Sequence, residues 1–128
     1  MTDRSWIEPI VERVVTQVLE NHTNQLRSEI IRRVDELNHL FFRKTVKSVH
    51  FKYNHSNWGS CSASGNLNFS TRLLFAPDDV MDYVIIHELA HLVELNHSDK
   101  FWSLVAAAMP DYEEKERWLR DNAHLCRF

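Results

Sequence analysis

Apolar residues recur every three or four positions through the first third of the chain, and the period changes twice before the end. Ile7, Val11, Val14 and Val18 lie one helical turn apart, with Glu, Arg and Gln between them. Positions three and four apart share a helix face, so residues 6–20 are predicted helical. Leu26, Ile30, Val34, Leu37 and Phe41 repeat the spacing and predict a second helix over 24–42. Asn21, His22 and Thr23 separate the two runs, so the pattern predicts a helical hairpin over 1–45. Both stripes are expected to face a core; a dimer surface is the alternative.

From residue 45 the period shortens toward two. TVKSVHFKY (45–53) carries Val46, Val49, Phe51 and Tyr53, β-branched and aromatic residues that predict a strand. NHSNWGSCSASGN (54–66) is turn-rich and holds both glycines, so it reads as a loop. LNFSTRLLF (67–75) predicts a second short strand that runs into a helical turn. Strand, glycine-containing loop and strand together predict an antiparallel hairpin with Ser and Asn around its tip.

The remainder is helical. Pro77 followed by Asp78 and Asp79 marks a helix start, with acids facing the positive end of the helix dipole. Val80, Tyr83, Val84, Ile85, Leu89, Leu92 and Val93 make this helix apolar nearly all round, so it is expected to be central and buried. Asn96 is the expected stop, because Asn tolerates the left-handed conformation. Ser98 can cap a helix over 99–109 that packs Phe101, Trp102, Leu104 and Val105. Pro110 and Asp111 open a last helix through Trp118 and Leu119 toward Leu125. These elements predict one α+β domain over 1–128. The hairpin of 1–45 precedes a core of 46–128, with a small antiparallel sheet, a central helix and C-terminal helices.

Composition narrows the classes. A chain of 128 residues is the size of one domain, and 44% hydrophobic content with 2 Gly and 3 Pro excludes a disordered or low-complexity chain. The net charge of -3 argues against a nucleic-acid partner for the chain as a whole, although Arg32, Arg33, Arg43, Lys44 and Lys47 form a local basic group. No stretch is apolar enough to span a membrane. Glu8, Pro9, Glu12 and Arg13 interrupt the N-terminal apolar positions, which is unlike a signal peptide, so a cytoplasmic protein is expected. Cys61 and Cys126 do not make a disulfide framework.

Residues 87–91 read His-Glu-Leu-Ala-His. On a helix the two histidines share one face and can converge on one tetrahedral metal. Glu88 projects beside them, where a carboxylate can take a proton from a metal-bound water. Two histidines and a glutamate on a buried helix are costly without partners, and one zinc ion is the simplest partner set. A catalytic zinc takes three protein ligands and keeps one position open. His97 ranks first as the third ligand. On a continuous helix it would lie about 600° and 9 Å beyond His91, away from the metal. It can ligate only if the helix ends before it and the chain turns back. Cys61 ranks second as a thiolate ligand. Glu94, on the same helix face, ranks third and suits a role in bonding a ligand imidazole. His22, His39, His50, His55 and His124 read as surface or packing residues.

Longer motifs surround this group: Trp58-Gly59-Ser60-Cys61-Ser62, Pro77, Asp82-Tyr83-Val84-Ile85-Ile86 before His87, Asn96-His97-Ser98, Phe101-Trp102, Met109-Pro110-Asp111-Tyr112 and Trp118-Leu119. With them the chain resembles the YgjP-like metallopeptidase family over roughly residues 46–128. It is also similar to the wider SprT and Wss1-like group, some of which cleave proteins crosslinked to DNA. The resemblance implies a zincin-type α+β fold, one zinc ion, His87, His91 and His97 as ligands, and a peptide or protein substrate. It also implies that the strand near 65–70 is the edge beside the metal-binding helix, with Trp58 and Ser60 near the cleft. Residues 1–45 and the lead-in Lys52-Tyr53-Asn54-His55-Ser56-Asn57 depart from the family pattern, which has strands in the first and arginines in the second. Tyr112, His55 and Arg72 are candidate donors to a transition-state oxyanion.

Three functions follow as expectations. The first is a zinc metallopeptidase with Glu88 as general base. The second is a zinc hydrolase of another bond, either deformylase-like with Cys61 as ligand or a nucleotide phosphohydrolase. The third is a non-enzymatic binding module stabilised by zinc.

Overall fold

A computed structural model describes residues 7–52 and 57–123; side chains at 7–9, 11, 12, 15, 16, 19, 20, 22, 23 and 75 are not described. The order is helix α1 (Ile7–Leu37), a π-helical turn (Asn38–Phe42), strands β1 (Ser48–Lys52), β2 (Gly59–Cys61) and β3 (Asn66–Ser70), a 3-10 turn (Thr71–Phe75), and helices α2 (Asp78–His91), α3 (Asp99–Ala108) and α4 (Tyr112–Asn122). The class is α+β, as the pattern predicts.

The expected helical hairpin is one continuous helix of 31 residues. Asn21, His22 and Thr23 are only middling helix formers, and without Gly or Pro they do not break the backbone ladder. The second apolar stripe is core: Ile30, Val34 and Leu37 are buried. The first is not, since Val14 and Val18 are 57% and 60% exposed. Phe41, the last residue of the second stripe, is also exposed. α1 ends in a π-turn closed by Arg43 in the left-handed region (φ 53°), whose N–H reaches the Asn38 carbonyl. The Asn38 side chain then brackets the exit, accepting from Lys44 N and donating to Lys44 O.

The sheet is mixed where an antiparallel hairpin was expected. Its order is β1-β3-β2, with β1 parallel and β2 antiparallel to β3. The segment Gly59–Cys61, expected as loop, forms its own strand and the true hairpin with β3. Ser62 and Gly65 close the turn, where Gly65 N–H reaches Ser62 O at 3.0 Å. Ser62, Ser64 and Asn66 do gather at its tip. Central β3 buries Leu67 and Phe69 completely, whereas β1 contributes the half-buried Val49 and Phe51. The Phe51 and Phe69 rings meet across the parallel pair at 6.0 Å.

α2 is the hub. Val80, Met81, Tyr83, Val84, Ile85, Ile86, Leu89 and Ala90 are all buried, as the all-round apolar pattern predicts. α1 is clamped to it by the Arg33 guanidinium, which forks onto both oxygens of Asp82 at 2.8 and 2.9 Å. α4 is tied to its first turn by Lys115, which pairs with Asp79 and Asp111. Ser98 caps α3 as expected, accepting from Phe101 N–H.

The β2–β3 turn depends on one glycine. Gly65 sits at φ +100°, and a Cβ there would lie 2.6 Å from the Thr45 carbonyl oxygen. Gly65→Ala is therefore expected to lower the unfolding free energy by about 2 kcal/mol in urea titration. Ala63→Ser, at an exposed position in the same turn, is expected to stay within about 0.5 kcal/mol of wild type.

Candidate metal centre

His87 and His91 stand one turn apart on the last two turns of α2. The helix ends at His91, earlier than the expected stop at Asn96. Leu92 N–H already turns to Leu89 O, Val93 to Ala90 O and Glu94 to Ala90 O, so the ladder tightens and unravels within three residues. Asn96 takes no part through a left-handed conformation; among the described non-glycine residues only Arg43 has positive φ. The consequence is the one that His97 requires. The chain folds back, and ring nitrogens of His87, His91 and His97 all lie within 4.8 Å of one another.

This group fits a tetrahedral metal. With Zn–N bonds of about 2.0–2.1 Å, two ligand nitrogens lie about 3.3 Å apart. Nε2 of His91 and Nε2 of His97 are 3.0 Å apart. The Nδ1 of His91 faces the Glu94 backbone carbonyl at 3.2 Å, which fixes a tautomer that leaves Nε2 unprotonated toward the group. Burial, reinforced by the neighbouring His87, holds the His91 imidazole below its ordinary range, so it is neutral at neutral pH. Glu94 thus supports a histidine, through its carbonyl; its carboxylate pairs with Lys100.

The other sequence candidates fall elsewhere. Cys61 is outside the group of three. Its thiol donates to Ser62 O at 3.3 Å, and burial, with the charge of Glu88 second, pushes its pKa up to about 11. Tyr112 packs behind the histidines, stacked on Trp102 at 5.3 Å and on Tyr83 at 6.4 Å. His55 lies outside the described residues, and so does the end of the last helix near Leu125. His39 and His50 are exposed.

Glu88 is 5% exposed and its Oε2 lies 3.2 Å from Nδ1 of His87. β2 runs against it. A Cβ on Gly59 would come within 3.1 Å of Glu88 Oε2 and 3.2 Å of the Asn68 carbonyl, so any larger residue would push the Glu88 side chain or the strand aside by a few tenths of an ångström. β2, not the strand of 66–70, is the sheet edge beside α2. Central β3 cannot be that edge because it is paired on both sides. A cleft of about 440 Å³ opens from Glu88 and His87 between β2, α2 and α4. Trp58 lines it as expected; Ser60 instead borders a small recess with Asn57 and Asn68.

Two site residues lay outside the predicted set. Tyr83 is one turn before His87 on the same helix face, so its spacing carried the signal; it lines the cleft and meets the His87 ring edge-on at 5.9 Å. Phe101 was expected only as packing. It is fully buried, stacks on His91 at 4.4 Å and meets His87 and His97 at 5.0 and 4.9 Å, so it is the wall that orients all three rings.

A model of the YgjP-like family, described as a metallopeptidase domain, matches residues 9–122. The chain belongs to the YgjP-like family. The match reaches back through most of α1, beyond the motifs of 46–128. A relative from Escherichia coli (strain K12), named UTP pyrophosphatase, is 24% identical over 106 residues, which are 78% of this chain and 64% of that protein; the chain thus spans under two thirds of its length. Two solved structures share the fold. The metallopeptidase zymogen abylysin of Pyrococcus abyssi superposes with a TM-score of 0.64 at 21% identity, covering 72% of this chain and 93% of that one. The zymogen jannalysin of Methanocaldococcus jannaschii gives 0.62 at 19%, covering 72% and 94%. Membership of a family described as a metallopeptidase domain supports a metal-dependent hydrolase. No helix among the described residues is long and apolar enough to cross a membrane.

Zinc added to the metal-free protein at about a thousandfold excess over its Kd is expected to raise the thermal midpoint by about 10 °C. His97→Ala is expected to lose most of that rise. Cys61→Ser is expected to keep both the rise and a zinc content of one ion per chain, measured by metal analysis.

Proposed function

We propose that the chain is a zinc-dependent peptidase in which His87, His91 and His97 hold one zinc ion and Glu88 is the general base. The observation that carries this reading is the buried Glu88 carboxylate, set between the converging imidazoles and strand β2 at Gly59, whose outer edge is unpaired among the described residues. A zinc ion held by these histidines supplies Lewis acidity, lowering the pKa of a bound water toward about 7 and polarising a carbonyl.

The chain's own groups supply the rest. Glu88 is an acceptor in a low-dielectric position, suited to take the proton of an attacking water and pass it to the leaving amine. β2 can align the substrate. Trp58 O and Ser62 N face β3, so by alternation the N–H and C=O groups of Gly59 and Cys61 face outward. An extended peptide can add to that edge beside Glu88. Phe101 and Trp102 wall the imidazoles from bulk water on the far side.

The Escherichia coli relative's name supports a second reading, hydrolysis of a nucleoside triphosphate. The same Glu88-activated water can attack phosphorus instead of a carbonyl carbon.

Zinc-loaded protein is to be incubated with a peptide library and, separately, with UTP. Peptide cleavage is expected, and Glu88→Gln is expected to keep its zinc while losing about a thousandfold in rate. Turnover of UTP without peptide cleavage would favour the second reading. A Glu88→Gln protein as active as wild type on both contradicts either one.

A further inference from the structure

The cleft beside Glu88 holds more positive and donor chemistry than water activation needs. Arg72 lines it, although its side chain is among the most completely buried in the protein at 2% exposure. A guanidinium cannot shed its charge, so burial must be met by partners. The Trp58 ring lies 4.3 Å from Arg72 Cζ, and Nη1 donates to the Ala123 carbonyl at 3.2 Å. Trp58 and Ala123 both belong to the cleft wall, so these contacts hold the guanidinium against it.

Two further groups share this wall. Arg120, from α4, is exposed and makes no ion pair among the described residues. Tyr83 is only 4% exposed, lines the cleft, and its hydroxyl makes no hydrogen bond among the described residues. The Tyr83 ring is buried but its oxygen reaches the cleft, where it can donate to an acceptor. Glu116 also lines the cleft and opposes the two arginines, while Glu88 is committed to its place beside His87. With a divalent cation at the histidines, the balance of charge around the cleft is positive.

We propose that Tyr83, Arg72 and Arg120 form an anion-recognising subsite beside Glu88, which selects substrates carrying a phosphate or carboxylate next to the scissile bond. The apolar part of the wall, Val84 and Leu119, excludes water and strengthens the charged hydrogen bonds. This subsite rests on the hydrolase reading for its purpose but not for its binding, so the two can fail separately. The anion has two sources, the phosphates of a nucleotide or a peptide carboxylate, and both present oxygens to guanidinium and phenol donors in the same way.

The test is anion binding to zinc-loaded protein by calorimetry, with inorganic pyrophosphate and with succinate as probes. Tyr83→Phe and Arg120→Ala are each expected to weaken binding roughly tenfold, with zinc content and the ligand-free thermal midpoint unchanged. Glu88→Gln, which removes a negative charge beside the subsite, is expected to bind the probes at least as tightly as wild type. Arg72→Lys is expected to weaken binding as well; should it unfold, the other two variants decide. Tighter binding of pyrophosphate assigns the subsite to phosphate, and of succinate to carboxylate. Probes that bind Arg120→Ala and Tyr83→Phe as tightly as wild type are held by zinc alone, and the proposal falls. It falls equally if wild type binds neither probe. Arginine-dependent binding with no turnover of any substrate leaves the subsite standing and removes only the hydrolase reading.

Discussion

The structure depends on where α2 stops. A helix that ran on to Asn96 would carry His97 about 9 Å past His91 and on to another face. Instead the last carbonyls of α2 are taken by the tightening turn of Leu92, Val93 and Glu94, and the chain reverses. The Glu94 carbonyl released by that reversal is the same one that fixes His91. Ser98 then starts α3 at once, which drives Phe101 into the centre of the three imidazoles. Helix termination, ligand orientation and ring packing are therefore one local event.

The rest of the fold holds α2 and the histidines at its end in place. Its all-round apolar surface is covered by α1, the sheet, α3 and α4. The charged residues within it are bound outward: Asp82 to Arg33 of α1, Asp79 to Lys115 of α4. An aromatic run continues from the metal centre into this scaffold, through His97, Trp102, Tyr112 and Tyr83 back to His87. Displacing any one ring disturbs the next, so residues of three helices converge around the three imidazoles. β2 completes it from the other side, where the missing side chain of Gly59 sets the distance to Glu88.

Much of this was legible in the residues. The α+β class, the buried α2, the Ser98 cap and the gathering of His87, His91 and His97 follow from periodicity and spacing. The errors have physical causes. Asn21-His22-Thr23 looks like a break in the apolar stripe, but a stripe reports burial, not backbone continuity, and α1 continues while its first half leaves the core. The sequence pattern does not predict β2 because Gly-Ser-Cys has little strand propensity; it is a strand because β3 offers it a partner. The pairing of β1 with β3 is a long-range choice that no local pattern encodes. Asn96 was a reasonable stop on propensity, but the last turn of α2 unwinds without a left-handed residue. Tyr83 could have been found from its i−4 relation to His87; Arg72, named from the sequence as a candidate oxyanion donor, reaches the cleft because the 3-10 turn and the end of α4 meet there.

The central claim is that three imidazoles, and no thiolate, hold one zinc ion beside Glu88. X-ray absorption at the zinc edge of the loaded protein tests it most directly. The predicted spectrum has three imidazole nitrogens at about 2.0–2.1 Å and one further oxygen, with no sulfur. A sulfur scatterer at about 2.3 Å would place Cys61 in the coordination sphere and contradict the account, as would a fit with only two imidazoles.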